Sequence, residues 1–439
     1  MSDALAVFGL GYVGAVSAAC FASRGRRVVG VDVNPDKVAM VNSGQTPVLE
    51  EDIGELIDSV VADGSLSATS DVRSAVAETD LALVCVGTPS GRGGGLETTY
   101  LERVAAQIGE AINELDRPYT VVVRSTMVPG TSRSVVIPNL EKGAQREVGD
   151  RLGYAVNPEF LREGSSVKDF HNPPKTVIGQ SDDATGDIVA GLYDGLPGPV
   201  FRVDLSVAEM VKYADNSFHA LKVAFANEIG TISKALGLDS HEVMDVFKSD
   251  TKLNISPAYL TPGFAFGGSC LPKDVRALNH TARHLDVELP LVDSLIEANE
   301  AVIDRVFDEI VATGAKRVGL FGLSFKPGTD DLRESPLVAL AERCHGRGLE
   351  LLIWDDQVQL SAIQGANRAF IDSRIPHLSK LLVSSAESVA RHAEVVVLGT
   401  KRADAVDAAA GSDAAHIVDL VRVDNPSITD RDGYSGVAW

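Results

Sequence analysis

The chain has 439 residues, too many for one ordinary domain, with 45% hydrophobic and 23% charged residues and no low-complexity stretch, so two or three folded domains are expected. Its formal net charge of -21 excludes broad binding to nucleic acid or to an anionic membrane surface, both of which need basic patches. The four cysteines, Cys20, Cys85, Cys270 and Cys344, show neither CxxC spacing nor a disulfide framework, which argues against zinc and suits a reducing cytoplasm; no metal is expected.

Ala4 to Ala22 is apolar enough to resemble a signal peptide or a membrane span, but no basic residue precedes it and Gly9, Gly11 and Gly14 interrupt it. It is predicted as a buried strand, a GxGxxG turn (GLGYVG) and an alanine-rich helix. The glycines permit a tight turn, a close approach of backbone to a pyrophosphate and close helix–strand packing, and the helix N-terminus offers its amides to phosphate. A second strand, RVVGVDV, ends at Asp32, 18 residues after Gly14 (32 minus 14), where a carboxylate can accept both ribose hydroxyls and repel a 2′-phosphate. NAD is therefore the expected cofactor, with Lys37 reaching the same ribose.

DLALVCVGTPS and TVVVRSTMVPG are buried-type strands that end in Thr, Ser, Gly and Pro, which places Thr88 and Thr126 at the ligand edge of a parallel sheet. YAVNPEFLREGS ends at the same edge and carries Glu159 and Glu163, either as part of the site or as two acids on a solvated loop. Ser206 to Gly237 reads as one long helix, opened by a capping box (Ser206, Glu209) and closed on glycine, that bridges domains and forms an oligomer seam. Lys212, Asn216, His219 and Asn227 share a face of it. GFAFGGSCLPKD then places Cys270 after two glycines, where the backbone can turn and approach a ligand rather than fill a core.

From Lys316 the pattern repeats: VGLFGLS echoes LAVFGLG, LELLIWDD echoes RVVGVDV, and EVVVLGT echoes LALVCVGT. The fold class is α/β, with two Rossmann-type doubly wound parallel-sheet domains joined by a long central helix and a helical middle domain. The expected boundaries are residues 1–205, 206–305 and 306–439. The second half has SFKPGT in place of the third glycine, which offers Lys326 to a phosphate and Arg333 to either ligand.

GLGYVG, VDVNPDK, VCVGTP, RSTMVPGT, NPEFLREG, AEMVKYADN, FANEIG, GFAFGGSCLPKDVRAL and GLSFKPGTDDLRESP resemble, in order and spacing, the nucleotide-sugar dehydrogenases of the UDP-glucose/GDP-mannose dehydrogenase family. That resemblance covers nearly the whole chain. It implies a four-electron, NAD-dependent oxidation of a sugar C6 alcohol to a carboxylate through a thiohemiacetal and a thioester on Cys270. The residues around Cys270 point to the members acting on GDP-mannose, for alginate-type polysaccharide, with UDP-glucose as the alternative. One such relative carries a basic residue just before the Pro-Gly of this loop, where this chain has Thr261; that removes one phosphate contact and weakens the case for GDP-mannose over another nucleotide sugar.

By the same resemblance, Lys212 favours the thiolate and with Asn216 stabilises the C6 oxyanion, Glu159 is an acid/base, and Asp274 with Thr126 orders water. Gly9, Gly11, Tyr12, Val13, Gly14, Asp32, Lys37, Thr88, Thr126, Glu163, Lys273 and Arg333 would hold NAD. Phe160, Leu161, Lys212, Asn216, His219, Asn227, Asn254, Tyr259, Phe264, Gly267 and Lys326 would bind the nucleotide sugar, in a homodimer or higher homo-oligomer with shared sites. A non-catalytic NAD sensor on a decayed scaffold would be expected to have lost Cys270, Lys212 or Asp274; all three are present.

Overall fold

Runs of valine, leucine and alanine without polar alternation form strands covered on both faces. The computed structural model describes residues 4–48, 50–89, 96–162, 164–268, 270–325, 332–356, 358 and 381–439, and the chain divides into two compact units, Met1–Ala220 and Leu221–Trp439. In the first unit, β1 (Ala4–Phe8), β2 (Arg27–Val31), β3 (Leu66–Thr69), β4 (Leu81–Val84), β5 (Tyr119–Val123), β6 (Leu152–Val156), β7 (Thr176–Gln180) and β8 (Val200–Val203) form one sheet in the order β3-β2-β1-β4-β5-β6-β7-β8. The first six are parallel in the 3-2-1-4-5-6 order of a dinucleotide-binding fold. β7 pairs antiparallel with β6, and β8 is parallel to β7.

Along β1, Leu5 and Val7 enter the core layer that also holds Val16, Ala19 and Phe21 of the helix Tyr12–Ser23; Ala6 and Phe8 enter the opposite layer with Leu101 and Ile108 of the helix Thr99–Asn113. Each such buried side chain contributes about 1.5–3 kcal/mol relative to exposure. Gly14 is demanded by packing: a Cβ there would lie 1.7 Å from the Gly9 carbonyl oxygen.

In the second unit, β9 (Arg317–Phe321), β10 (Glu350–Trp354), β11 (Val395–Leu398), β12 (His416–Asp419) and β13 (Tyr434–Gly436) form a five-stranded parallel sheet ordered β10-β9-β11-β12-β13. This 2-1-3-4-5 sequence is the other common doubly wound order, and it too reverses direction beside its first strand. The internal echo extends to atoms. Gly9 and Gly322 both have φ of +93°; their N–H groups donate to Val31 O (2.7 Å) and Trp354 O (2.8 Å), and the next amides, Leu10 and Leu323, each donate to Asp32 Oδ2 and Asp355 Oδ2 at 2.7 Å. The echo slips at the third strand: Phe8 pairs with Val84 and Phe321 with Leu398, so Thr88 lies four residues past its pairing position and Thr400 only two.

The long helix spans Leu205–Ala235, 31 residues or roughly 45 Å, and carries the chain from the first unit into the second. It does not open on the expected capping box. Asp204 Oδ1 accepts the Ser206 N–H at 2.8 Å, while Glu209, buried, accepts the N–H groups of Gly130 (2.6 Å) and Ser132 (2.8 Å) and the Ser132 hydroxyl (2.7 Å). The spacing of a capping box was present, but a partner 77 residues away in sequence won the carboxylate. The helix does close on glycine, with Gly237 at φ +74°. In the second unit Glu228 of the same helix accepts the Leu291 and Val292 N–H groups (2.7 and 3.0 Å), capping the helix Pro290–Ala312.

Glu209→Ala strands buried donors at about 1–3 kcal/mol each, so urea unfolding followed on the first unit should show a loss of roughly 3 kcal/mol or more, with Glu209→Gln milder. An unchanged midpoint would show that the three bonds carry no stability.

Candidate active site

At the carboxyl ends of β1, β2 and β4, where the strand order reverses, lies a cleft of about 720 Å³ lined by Gly9, Gly11, Asp32, Val33, Lys37, Cys85, Tyr100, Arg103 and Gln107. Asp32 receives the Leu10 N–H on Oδ2 (2.7 Å) and the Asn34 N–H on Oδ1 (2.9 Å), and Lys37 Nζ lies 3.7 Å from Oδ2. Each carboxylate oxygen keeps a further lone pair for a ligand hydroxyl. Gly11 is the N-cap of the helix Tyr12–Ser23, whose first turn holds Tyr12, Val13 and Gly14, so its leading amides follow directly on the cleft. The open glycine turn, the acid and the amides together fit a dinucleotide. The Thr88 hydroxyl donates to the Thr126 carbonyl at 2.9 Å, which ties the chain after β4 to the chain after β5.

A second cluster gathers where β6 runs out. Glu159 Oε1 and Lys212 Nζ form an ion pair of 2.9 Å with side chains only 12% and 10% exposed, and Glu159 Oε2 accepts the Leu161 N–H at 2.6 Å. The Phe160 ring lies beneath two ammonium groups, Lys212 Nζ at 5.6 Å and Lys175 Nζ at 4.8 Å from its centroid, and Lys175 pairs with Asp215 at 2.7 Å. Asn216 and His219 follow on the same helix and are exposed. Glu163 lies outside the described residues, but its neighbours are fixed: Glu50 accepts the Gly164 and Ser166 N–H groups at 2.9 and 3.1 Å. Burial alone would raise the Glu50 carboxyl; those amides hold it below the ordinary glutamate range.

In the second unit, Cys270 is exposed and is the N-cap of the helix Leu271–His284; the Asp274 N–H donates to the Cys270 carbonyl at 2.9 Å, so the two residues sit one turn apart as the spacing predicts. Lys273 and Asp274 are an exposed ion pair of 3.1 Å. Before the cysteine, a Cβ on Gly267 would lie 2.4 Å from Glu334 O and one on Gly268 (φ +88°) 2.8 Å from the Phe325 ring. These glycines are required by the chain packed over them, a reason that a ligand-approach reading does not need. Phe266 exchanges two hydrogen bonds with the Asn299 carboxamide (2.8 and 2.9 Å), and Phe264 packs on the core of the second sheet. Asn254 donates to Phe247 O at 3.2 Å, Tyr259 is 85% exposed at φ +64°, Asn227 is exposed, and Arg333 is half-buried. Lys326 lies outside the described residues. Among the described residues no cluster of three or more His, Cys, Asp or Glu could hold a metal, and no helix is long and apolar enough to cross a membrane.

Three family models match the chain: the UDP-glucose/GDP-mannose dehydrogenase family NAD binding domain at residues 3–196, its central domain at 206–301 and its UDP binding domain at 319–430. The chain belongs to this family. This family member is an NAD-dependent nucleotide-sugar dehydrogenase. It is 48% identical over 439 residues to GDP-mannose 6-dehydrogenase of Pseudomonas putida, covering 99% of this chain and 100% of that protein. A UDP-glucose 6-dehydrogenase of Haloferax volcanii is 37% identical over 80% of this chain and 83% of its own. The crystal structure of a ternary complex of GDP-mannose dehydrogenase from Pseudomonas aeruginosa matches with a TM-score of 0.94 at 46% identity, over 99% of this chain and 100% of that one.

Sequence reasoning about this dehydrogenase missed Glu50, Arg124, Lys175, Asp215 and the cleft residues Tyr100, Arg103 and Gln107, and gave Glu209 the wrong partner. Asp215 had a local signal, since it stands three residues after Lys212 on one helix. The others act across long sequence separations.

The thiols separate by burial. Burial pushes Cys20, Cys85 and Cys344 up to about 12, and the Arg124 charge offsets only part of this for the first two. At pH 7.5 fewer than about one in ten thousand of these would be thiolate, so iodoacetamide should label native protein at Cys270 alone, read by peptide mass spectrometry. Equal labelling of a buried cysteine would contradict the packing. Asp32→Ala removes charged hydrogen bonds of about 1.5–3 kcal/mol, so NAD affinity by calorimetry should fall roughly 10- to 150-fold, and an unchanged affinity would show the ribose contact to be misassigned.

Proposed function

We propose that this dehydrogenase oxidises the C6 alcohol of GDP-mannose to the carboxylate, giving GDP-mannuronate for an alginate-type polysaccharide, with Cys270 as the covalent nucleophile. The reading is carried by the exposed thiol at the head of the helix Leu271–His284, in a chain aligned over 99% of its length with a GDP-mannose 6-dehydrogenase. Bound NAD supplies the hydride acceptor for each of two successive oxidations, held by the Gly9–Gly14 turn, Asp32 and Lys37 in the first unit.

The chain's own residues then have separate tasks. The first oxidation leaves an aldehyde at C6, and the Cys270 sulfur bonds to that carbon to give a thiohemiacetal, whose oxidation leaves a thioester. Water cleaves the thioester, the oxygen going to the sugar carboxylate and the sulfur leaving as thiolate. Asp274 orders that water with Thr126 and takes its proton. Lys212 and Asn216 donate to the oxygen on C6 as charge develops there, and Glu159, paired with Lys212, exchanges its proton. Glu163, Lys273 and Arg333 complete the NAD contacts; Phe160, Leu161, His219, Asn227, Asn254, Tyr259, Phe264, Gly267 and Lys326 hold the nucleotide sugar.

UDP-glucose is the second reading, favoured by the 37% identical relative. Val207, Met210, Leu221 and Val223 are exposed along the long helix, 43% to 62%, apolar surface that a second copy of the chain would cover.

Mixing the protein with NAD and either nucleotide sugar and following NADH distinguishes the substrates: two NADH per GDP-mannose are expected, and one would rule out the four-electron scheme. Cys270→Ser should abolish steady-state turnover while the circular dichroism of the folded protein is retained; full-cycle activity in that variant would remove the thioester.

A further inference from the structure

Arg124 stands directly after β5 with 5% of its surface exposed. Its Nη1 donates to Asn157 Oδ1 at 2.7 Å and to the Tyr193 hydroxyl at 2.8 Å, and that hydroxyl donates to the same Asn157 oxygen. The Asn157 amide nitrogen donates to the Val177 carbonyl at 2.9 Å. The carboxamide is thus held at both ends.

Among the described residues the hydrogen-bond partners of this guanidinium are neutral, and its Nε is buried with none. Glu159 is the carboxylate whose charge acts on it, with no hydrogen bond between the two; a cation buried without direct pairing carries a large desolvation cost, and an apolar side chain of like volume would serve packing as well or better. Its retention calls for a geometric reason, and the chain past Asn157 supplies one. Pro158 follows with a fixed φ, and Glu159 comes next, its two oxygens taken by Lys212 Nζ (2.9 Å) and the Leu161 N–H (2.6 Å). Only one rigid residue separates the locked carboxamide from the carboxylate. A water-sized gap of about 30 Å³ borders Arg124, Asn157, Phe160, Lys175 and Tyr193, so loss of the guanidinium would let solvent loosen this turn.

We propose that Arg124 is a positioning residue for the dehydrogenase reaction, which by locking the Asn157 carboxamide aims Glu159 at Lys212. The inference rests on the reading above that Glu159 and Lys212 act at C6. An error of about 1 Å in such an aim costs on the order of 10²-fold in rate.

The test is steady-state kinetics with NAD and whichever of GDP-mannose or UDP-glucose is turned over. Arg124→Met should lower kcat on the order of 10²-fold with a much smaller change in KM for NAD, because Asn157 and Tyr193, which hold the guanidinium, do not line the cleft. Arg124→Lys should recover part of the loss. The double variant Arg124→Met with Glu159→Gln should have the kcat of Glu159→Gln alone, since one residue acts through the other. Additive losses, or a fall in thermal midpoint with kcat intact, would overturn the proposal. Should Arg124→Met fail to fold, Tyr193→Phe, which keeps the charge, takes its place in the same cycle. If Glu159→Gln and Lys212→Met themselves leave kcat intact, the catalytic reading fails; if they impair it while Arg124→Met does not, only the positioning role does.

Discussion

The ion pair between Lys212 and Glu159 joins the long helix to the end of β6, and the local arrangement follows from the need to bury it. Two charges with about a tenth of their side-chain surface exposed pay heavily in lost hydration, and their attraction repays it only if the remaining donors and acceptors are also satisfied. Here the Leu161 amide takes the second carboxylate oxygen, and the Phe160 ring lies under the ammonium group. A second pair, Lys175 with Asp215, meets the same ring, with Lys175 Nζ 4.8 Å from its centroid. The helix is thereby fixed in rotation, because Lys212 and Asp215 are three residues apart and both must meet their partners at once.

The two sheets solve a related problem with one device used twice. Each turn after the first strand starts on a glycine at positive φ, and the next amide is then directed at the acid that ends the neighbouring strand. Asp32 and Asp355 are each a structural brace, and in the first sheet the brace also lines the ligand cleft. The second sheet keeps the brace without the third glycine, which fits a different use of the crevice.

What was legible in the chain was whatever is local. The glycine turn, the acid ending β2, the run of apolar strands, the length of the central helix and the one-turn separation of Cys270 and Asp274 all follow from neighbours within a few dozen residues. Glu209 shows where such reading ends: its spacing from Ser206 spelled a cap, yet its carboxylate went to Gly130 and Ser132. Arg124 and Lys175 were equally silent, since an arginine after a strand and a lysine before one have no periodicity to betray them. Gly267 and Gly268 were legible as special but not for their reason, which is the crowding of Glu334 and Phe325.

The reversal at β7 has a further effect on the route of the chain. A sheet of parallel strands delivers only strand tails to its ligand rim, but β7 runs the other way and so begins there, which is how Lys175, just ahead of it, arrives among the groups following β6. β8 shares its direction, so the chain leaves the sheet at the far rim and the helix must climb back along the strands. Seven residues of ascent, about 10 Å, bring Lys212 up to Glu159 from below. A lengthening of the β8-to-helix joint by one residue would turn the helix by about 100° and swing Lys212 off that meeting point, so the two-residue step from Val203 to Leu205 sets the phase of everything the helix carries.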